Sequence, residues 1–267
     1  MSPAATPTDW QSRLARAVGA LGPVRPLRAN AWVVEAGGRR LVAKTGPGAG
    51  DEAEGLRQLG AVDAGPPVPE VVFADDELVV TVAVDQVPRT PAHEESLGRA
   101  LAALHATILV QWGGGSSWIG ACRVDPTPLP DGAAFYGGRL AELAARCGLE
   151  QPVGRVVDRL PQLLPAGGPA LLHGDLWWGN VLFGADGRAW LIDPSVHGGH
   201  PEEDLAMLAL FGTVPDRLLE AYQEAVPLRP GWQERVALFQ LYPLLVHAVL
   251  FGGGYRSQAE VVARQFT

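Results

Sequence analysis

Between Ala170 and Asp193 the sequence alternates short apolar runs with polar clusters so tightly that few folds can accommodate it. Ala170-Leu171-Leu172 reads as a strand, His173 to Asn180 as a polar loop, and Val181-Leu182-Phe183 as a second strand. Gly184-Ala185-Asp186-Gly187 then turns the chain into Ala189-Trp190-Leu191-Ile192, which stops at Asp193-Pro194. A hairpin this short is rigid, and side chains at its ends are held in place. Those ends carry His173-Gly174-Asp175-Leu176-Trp177-Trp178-Gly179-Asn180 and, thirteen residues after Asn180, Asp193. An aspartate, an amide and a second aspartate can divide phosphoryl transfer between them. One carboxylate orients and deprotonates a hydroxyl, while the amide oxygen and the other carboxylate hold magnesium against nucleotide phosphates. The same cluster would also serve as a polar turn that caps strands.

A second signal is Lys44, the single lysine in a chain with twenty arginines. It ends the apolar run Leu41-Val42-Ala43, and a compact ammonium on a flexible stem suits phosphate oxygens. Buried there it needs a partner. Glu52, on a helix whose Glu52, Leu56 and Leu59 share one face, is the natural one. Glu54 is the alternative, about 200° around that helix. A lone surface lysine is the competing reading.

The chain's 267 residues suit one large domain or two coupled lobes. With 47% apolar and 19% charged residues it can build a core and is not disordered. Cys122 and Cys147 make neither a disulfide framework nor a thiolate metal site. A net charge of −8 without a basic run argues against nucleic-acid binding. Residues 1–90 carry −2 and the remainder −6, which would favour a cationic substrate there or simply give a solvated surface. The opening MSPAATPTDW lacks a signal-peptide pattern, so a cytoplasmic location is expected. The apolar stretch from Val236 to Phe251 is interrupted by Gln240, Pro243 and His247 and reads as a buried helix, not a membrane span.

The early region reads as strands around one helix. Asp9 can cap a first helix, Ala31–Ala36 and Arg39–Lys44 form a hairpin through Gly37-Gly38, and Val71–Phe73 and Leu78–Val84 are further strands. From Thr90-Pro91 onward most of the chain is helical; the aromatic-bearing stretch from Gln111 to Gly132 is a long connection folded over something. Residues 1–88 and 89–267 are the expected lobes. His105 and His247 sit on apolar helical segments as core or satisfied polar residues.

Lys44, the helix with Glu52, His173 through Asn180, and Ile192-Asp193-Pro194 together resemble the protein-kinase-like small-molecule phosphotransferases. HGDLWWGN, the run from Ile192 to Leu208, and FQLYPLLVHAVLFGGGY from Phe239 to Tyr255 narrow the resemblance to the fructosamine kinase (ketosamine 3-kinase) family. Aminoglycoside and choline kinases share the HxDxxxxN pattern alone. The resemblance implies an α+β, two-lobed kinase-like fold with a small mixed sheet lobe and a larger helical lobe. It also implies ATP and Mg2+ as cofactors and a glycated amine or amino sugar as the small-molecule acceptor. In that reading Lys44 and Glu52 serve the phosphates, and the backbone from Val82 to Val84 meets adenine. Asp175 is the catalytic aspartate, Asn180 and Asp193 hold magnesium, and Asp204 supports the loop, through His173. Trp177 and Trp178 either wall the acceptor site or pack in the core, and His197, with His200, belongs to a loop near it. One departure stands out: the family's glycine-bearing turn over the phosphates matches Val24 to Trp32 here, which has no glycine. Either nucleotide binding is weaker, or Arg28 and Asn30 contribute side-chain donors in place of the amides that glycine would expose; a non-catalytic, kinase-like nucleotide-binding module is the competing reading.

Overall fold

The computed structural model describes residues 7–28 and 30–267. Met1–Thr6, at the start of the segment lacking a signal-peptide pattern, and Ala29 in the glycine-free stretch lie outside the described residues.

The first part of the chain folds as α1 (Pro7–Val18), β1 (Leu21–Arg28), β2 (Ala31–Ala36), β3 (Arg39–Thr45), α2 (Ala49–Gly60), β4 (Val71–Ala74) and β5 (Leu78–Val82). The strands form one antiparallel sheet in the order β1-β2-β3-β5-β4. β2 and β3 make the expected hairpin, with Lys44 opposite Ala31 and Arg39 opposite Ala36. Helix α1 starts at Pro7, two residues before Asp9, and lays Trp10 and Leu14 on the sheet. Trp10 stacks on Trp32 at 4.9 Å between ring centroids. Much of the expected turn is strand: β1 covers Leu21 to Arg28 despite Gly22, Pro23 and Pro26. It is an edge strand, where a missing N–H breaks no ladder.

After β5 the backbone crosses to the second lobe beside the later hairpin. Val87 donates to the Phe183 carbonyl at 2.8 Å, and Ala185 to that of Asp85 at 3.1 Å. The elements beyond are α3 (Pro91–His105), β6 (Trp118–Ile119), β7 (Cys122–Arg123), α4 (Gly132–Cys147), α5 (Glu150–Leu163), β8 (Ala170–Leu172), β9 (Val181–Phe183), β10 (Ala189–Leu191), β11 (His197–Gly199), α6 (Pro201–Leu210), α7 (Asp216–Gln223), α8 (Trp232–Phe251) and α9 (Gly253–Gln265). Leu97 and Leu101 of α3, Leu218 of α7 and Leu191 of β10 share one buried core. Leu59 of α2 enters it too, so the helix carrying Glu52 is anchored in the larger lobe. Helices α4, α5, α8 and α9 enclose a second core around Tyr136, Val153, Leu245 and Ala259. Helix α8 is long and apolar enough to cross a membrane, yet half of its apolar window is buried inside the protein.

The segment between Gln111 and Gly132 does fold over something. Ser117 donates its amide to Asp51 Oδ2 at 2.8 Å, at the start of α2. Trp118 covers Gly48, whose φ is +82°; a Cβ there would meet the indole at 2.8 Å. The larger lobe thus clasps the first turn of α2. Neither contact is visible in the sequence pattern.

Candidate active site

The cleft between sheet and helices holds two adjoining cavities. One of about 290 Å3 is bordered by Arg28, Asn30, Lys44, Asp175 and Asp193. The other, about 700 Å3, runs along Val33, Val42, Val82 and Val84 and also touches Lys44 and Asp193. Polar and apolar requirements are therefore separated along one groove.

β3 delivers Lys44 and α2 delivers Glu52; Lys44 Nζ lies 2.6 Å from Glu52 Oε2 and 3.2 Å from Asp193 Oδ1. Glu54 instead faces outward, accepting from Gln58. Burial works against the Lys44 charge, but Glu52 and Asp193 outweigh it and raise its pKa. Two carboxyls compete for that ammonium. Burial, with the charge of Asp193 nearby, pushes Glu52 up to about 7. Asp193 also loses hydration on burial, yet Lys44 and Arg28 hold it below the usual carboxylate range. Its φ of +54° is a left-handed conformation that an aspartate tolerates better than most side chains.

Asp175 follows β8, and Asn180 immediately precedes β9. Asn180 Nδ2 donates to the Asp175 carbonyl at 2.8 Å and to its Oδ2 at 3.2 Å. The amide nitrogen is thereby committed, leaving the Asn180 oxygen for another partner. Burial, then repulsion from Asp193, pushes Asp175 up to about 7. Gly174 has φ +80°, and a Cβ on it would fall 2.0 Å from the Ser195 carbonyl oxygen. Only glycine fits where this loop passes so close to the segment after Asp193.

His173 and Asp204 brace the loop by separate routes. Asp204 Oδ2 accepts the His173 amide at 2.8 Å and Oδ1 accepts that of Gly174 at 2.9 Å. The support expected through His173 thus runs through its backbone amide, joined by that of Gly174. The His173 ring, kept neutral by complete burial, donates from Nε2 to the Ile192 carbonyl at 3.0 Å. Its Nδ1 accepts the Asp175 amide at 3.3 Å. One ring so ties Asp175 to the residue before Asp193. Behind Asp204 stands His105, whose Nε2 is 3.2 Å from Oδ2 and whose Nδ1 accepts from the Tyr222 hydroxyl at 2.9 Å. His105 reads as a core histidine in the sequence; its link to Asp204 spans 99 residues and has no local signal.

The remaining expected residues divide. Trp177 is 38% exposed and meets Phe211 edge-on at 6.2 Å. Trp178 packs against the α3 core, with the Arg89 guanidinium 4.0 Å above its ring, so it does not wall the cleft. His197 lies on β11 and is buried, with Nε2 2.8 Å from Arg139 Nη1. His200 caps α6. Both histidines thus point into the lobe rather than forming a loop at the cleft. Val82 donates its amide to Glu70 and Ala83 donates to Arg40, at 2.9 and 2.8 Å. Sheet pairing has already taken the Val82 N–H that the sequence reading offers to adenine.

The sequence profile described as fructosamine kinase matches residues 50–267. The chain belongs to the fructosamine kinase family. A candidate fructosamine-3-kinase from Thermobifida fusca superposes with a TM-score of 0.88 at 36% identity, covering 97% of this chain and 98% of that one. A probable ketoamine kinase of Thermus thermophilus is 37% identical over 76% of this chain and 77% of its own length. The match to a probable ketoamine kinase of Enterococcus faecium is 46% identical over 37% of this chain but takes in only 35% of that relative. The α+β architecture, a small sheet lobe with a larger helical one, is the protein-kinase-like fold of this family.

Proposed function

We propose that this fructosamine kinase family member transfers the γ-phosphoryl group of ATP to a hydroxyl of a ketoamine, a sugar carried on an amine. The observation that carries this reading is the convergence of Lys44, Asp175 and Asp193 on one cavity, with Asn180 fixing Asp175. The donors suit magnesium. Among the described residues no three His, Cys, Asp or Glu side chains form a metal cage. Asn180 and Asp193 offer one amide and one carboxylate oxygen, a set that leaves coordination positions for water and phosphate. Magnesium-ATP, when bound, supplies the phosphoryl group and neutralises its charge.

The protein's own part is positioning and proton transfer. Lys44, steadied by Glu52, presents an ammonium to phosphate oxygens. The valine-lined cavity can take a flat base, with Val84 at its border. Asp175 orients the acceptor hydroxyl and takes its proton, and a pKa near 7 suits a base working at neutral pH. Trp177 begins a run of rings through Phe211, His247 and Tyr255, with centroid steps of 6.2, 5.1 and 4.9 Å. Such faces can pack on a sugar and on the carbon chain of its amine.

The test is incubation with magnesium-ATP and ribosyl-, fructosyl- and erythrulosyl-amines beside aminoglycosides, following ADP and phosphorylated product. Product from a ketoamine is expected; product from aminoglycosides alone would overturn the reading. Two variants probe the parts. Asp193→Ala is expected to erase the gain in ATP affinity that magnesium gives, measured by calorimetry with and without the metal; equal magnesium dependence in parent and variant would remove Asp193 from the metal. Lys44→Arg keeps the charge but changes donor geometry, so turnover at saturating ATP should fall by about 10-fold or more. Parent-like turnover would place Lys44 away from the phosphates.

A further inference from the structure

The glycine-free turn reaches across the cleft. Arg28, at the end of β1, places Nη2 2.9 Å from Asp193 Oδ2, while Lys44 approaches Oδ1 of the same carboxylate. Asp193 therefore carries a cation on each oxygen. It cannot also give an oxygen freely to a divalent ion without loosening one of them. Lys44 is held from its other side by Glu52 at 2.6 Å and is 25% exposed; Arg28 is 47% exposed, and Asp193 is its ion-pair partner among the described residues. Arg28 is the cation free to leave. It borders the same cavity as Lys44, Asn30 and Asp175, so a short swing of its long side chain brings it over whatever anion lies there.

We propose that Arg28 is an exchanging phosphate ligand: it pairs with Asp193 before nucleotide binds and moves onto nucleotide phosphate oxygens when the metal takes Asp193. This deepens the kinase reading and rests on it. A guanidinium forms two parallel bonds to phosphate oxygens, replacing the amides that a glycine turn would supply. The exchange also couples the two ligands. Arg28 opposes metal binding alone, and the nucleotide removes that opposition, so each ligand strengthens the other.

The test compares Arg28→Ala with Arg16→Ala. Arg16 is exposed on α1 and lines neither cavity, so it reports the general effect of losing a positive charge from the same lobe. Manganese binding without nucleotide is followed by electron paramagnetic resonance; magnesium-ATP and adenosine binding are followed by calorimetry. Arg28→Ala is expected to bind manganese about 3-fold more tightly, in line with loss of a partly exposed ion pair. It should bind magnesium-ATP about 10-fold more weakly and adenosine as the parent does. Arg16→Ala should shift each by less than about 2-fold. Unchanged manganese affinity in Arg28→Ala, or equal shifts in both variants, would overturn the exchange. Unchanged adenosine binding shows that the variant is folded. Failure of the parent itself to bind ATP would instead sink the kinase reading.

Discussion

Asp175→Asn should lower turnover by about 10²-fold or more while leaving the fold and much of the nucleotide binding in place. Asparagine keeps the size and can still accept from Asn180, but it has no charge with which to orient a hydroxyl or take its proton. The setting sharpens the contrast, because Asp193 and Glu52, the other carboxylates bordering this cavity, are held by Lys44, and Asp193 by Arg28 as well. The measurement is the rate of phosphorylated ketoamine formation at saturating ATP and acceptor, with melting temperature and ATP affinity alongside. Turnover within a few-fold of the parent would show that Asp175 is not the base. Loss that merely follows melting or loss of ATP binding would reduce the cluster to a structural turn.

Asp204→Asn is expected to cost about 3 kcal/mol, the lower end for breaking a buried charged network, or roughly 6–12 °C in melting temperature for a chain of this size. The carboxylate receives the His173 and Gly174 amides and His105; an amide must turn an NH2 toward one of those donors. Burial works to raise the Asp204 pKa, but His105, His173 and the Gly174 amide together hold it below the ordinary value. Its stabilisation is thus complete above the unfolded value near 3.9 and lost as pH falls through the lower folded one. The gap between parent and variant should be widest near neutrality and narrow below about pH 4. A gap independent of pH, or a variant as stable as the parent at pH 7, would show that the ionised carboxylate does not hold the loop.

The features legible in the sequence were those written over short distances. The β9–β10 hairpin is announced by two apolar triplets around Gly184-Ala185-Asp186-Gly187. The Lys44–Glu52 pair follows from a strand end and a helix face eight residues apart. Features fixed by distant partners were not legible. β11 consists of His197-Gly198-Gly199, with no strand-forming residue, and exists because β8 pairs with it. Likewise β1 looks like a loop, since its prolines are tolerable only on an edge that local sequence does not reveal. Trp178 and Trp177 are adjacent and chemically identical, and only packing separates them: one lies under Arg89, the other opens toward Phe211.

The clasp on α2 bears on how such an enzyme is governed. Ser117 holds Asp51, Trp118 covers Gly48, and Leu59 is sunk in the core of the other lobe. Both ends of the helix are pinned by the body that carries Asp175, and the Lys44–Glu52 pair is already closed. A helix moored in this way has no inward swing left to make. Control by displacing it would have to break a hydrophobic anchor as well as a polar one.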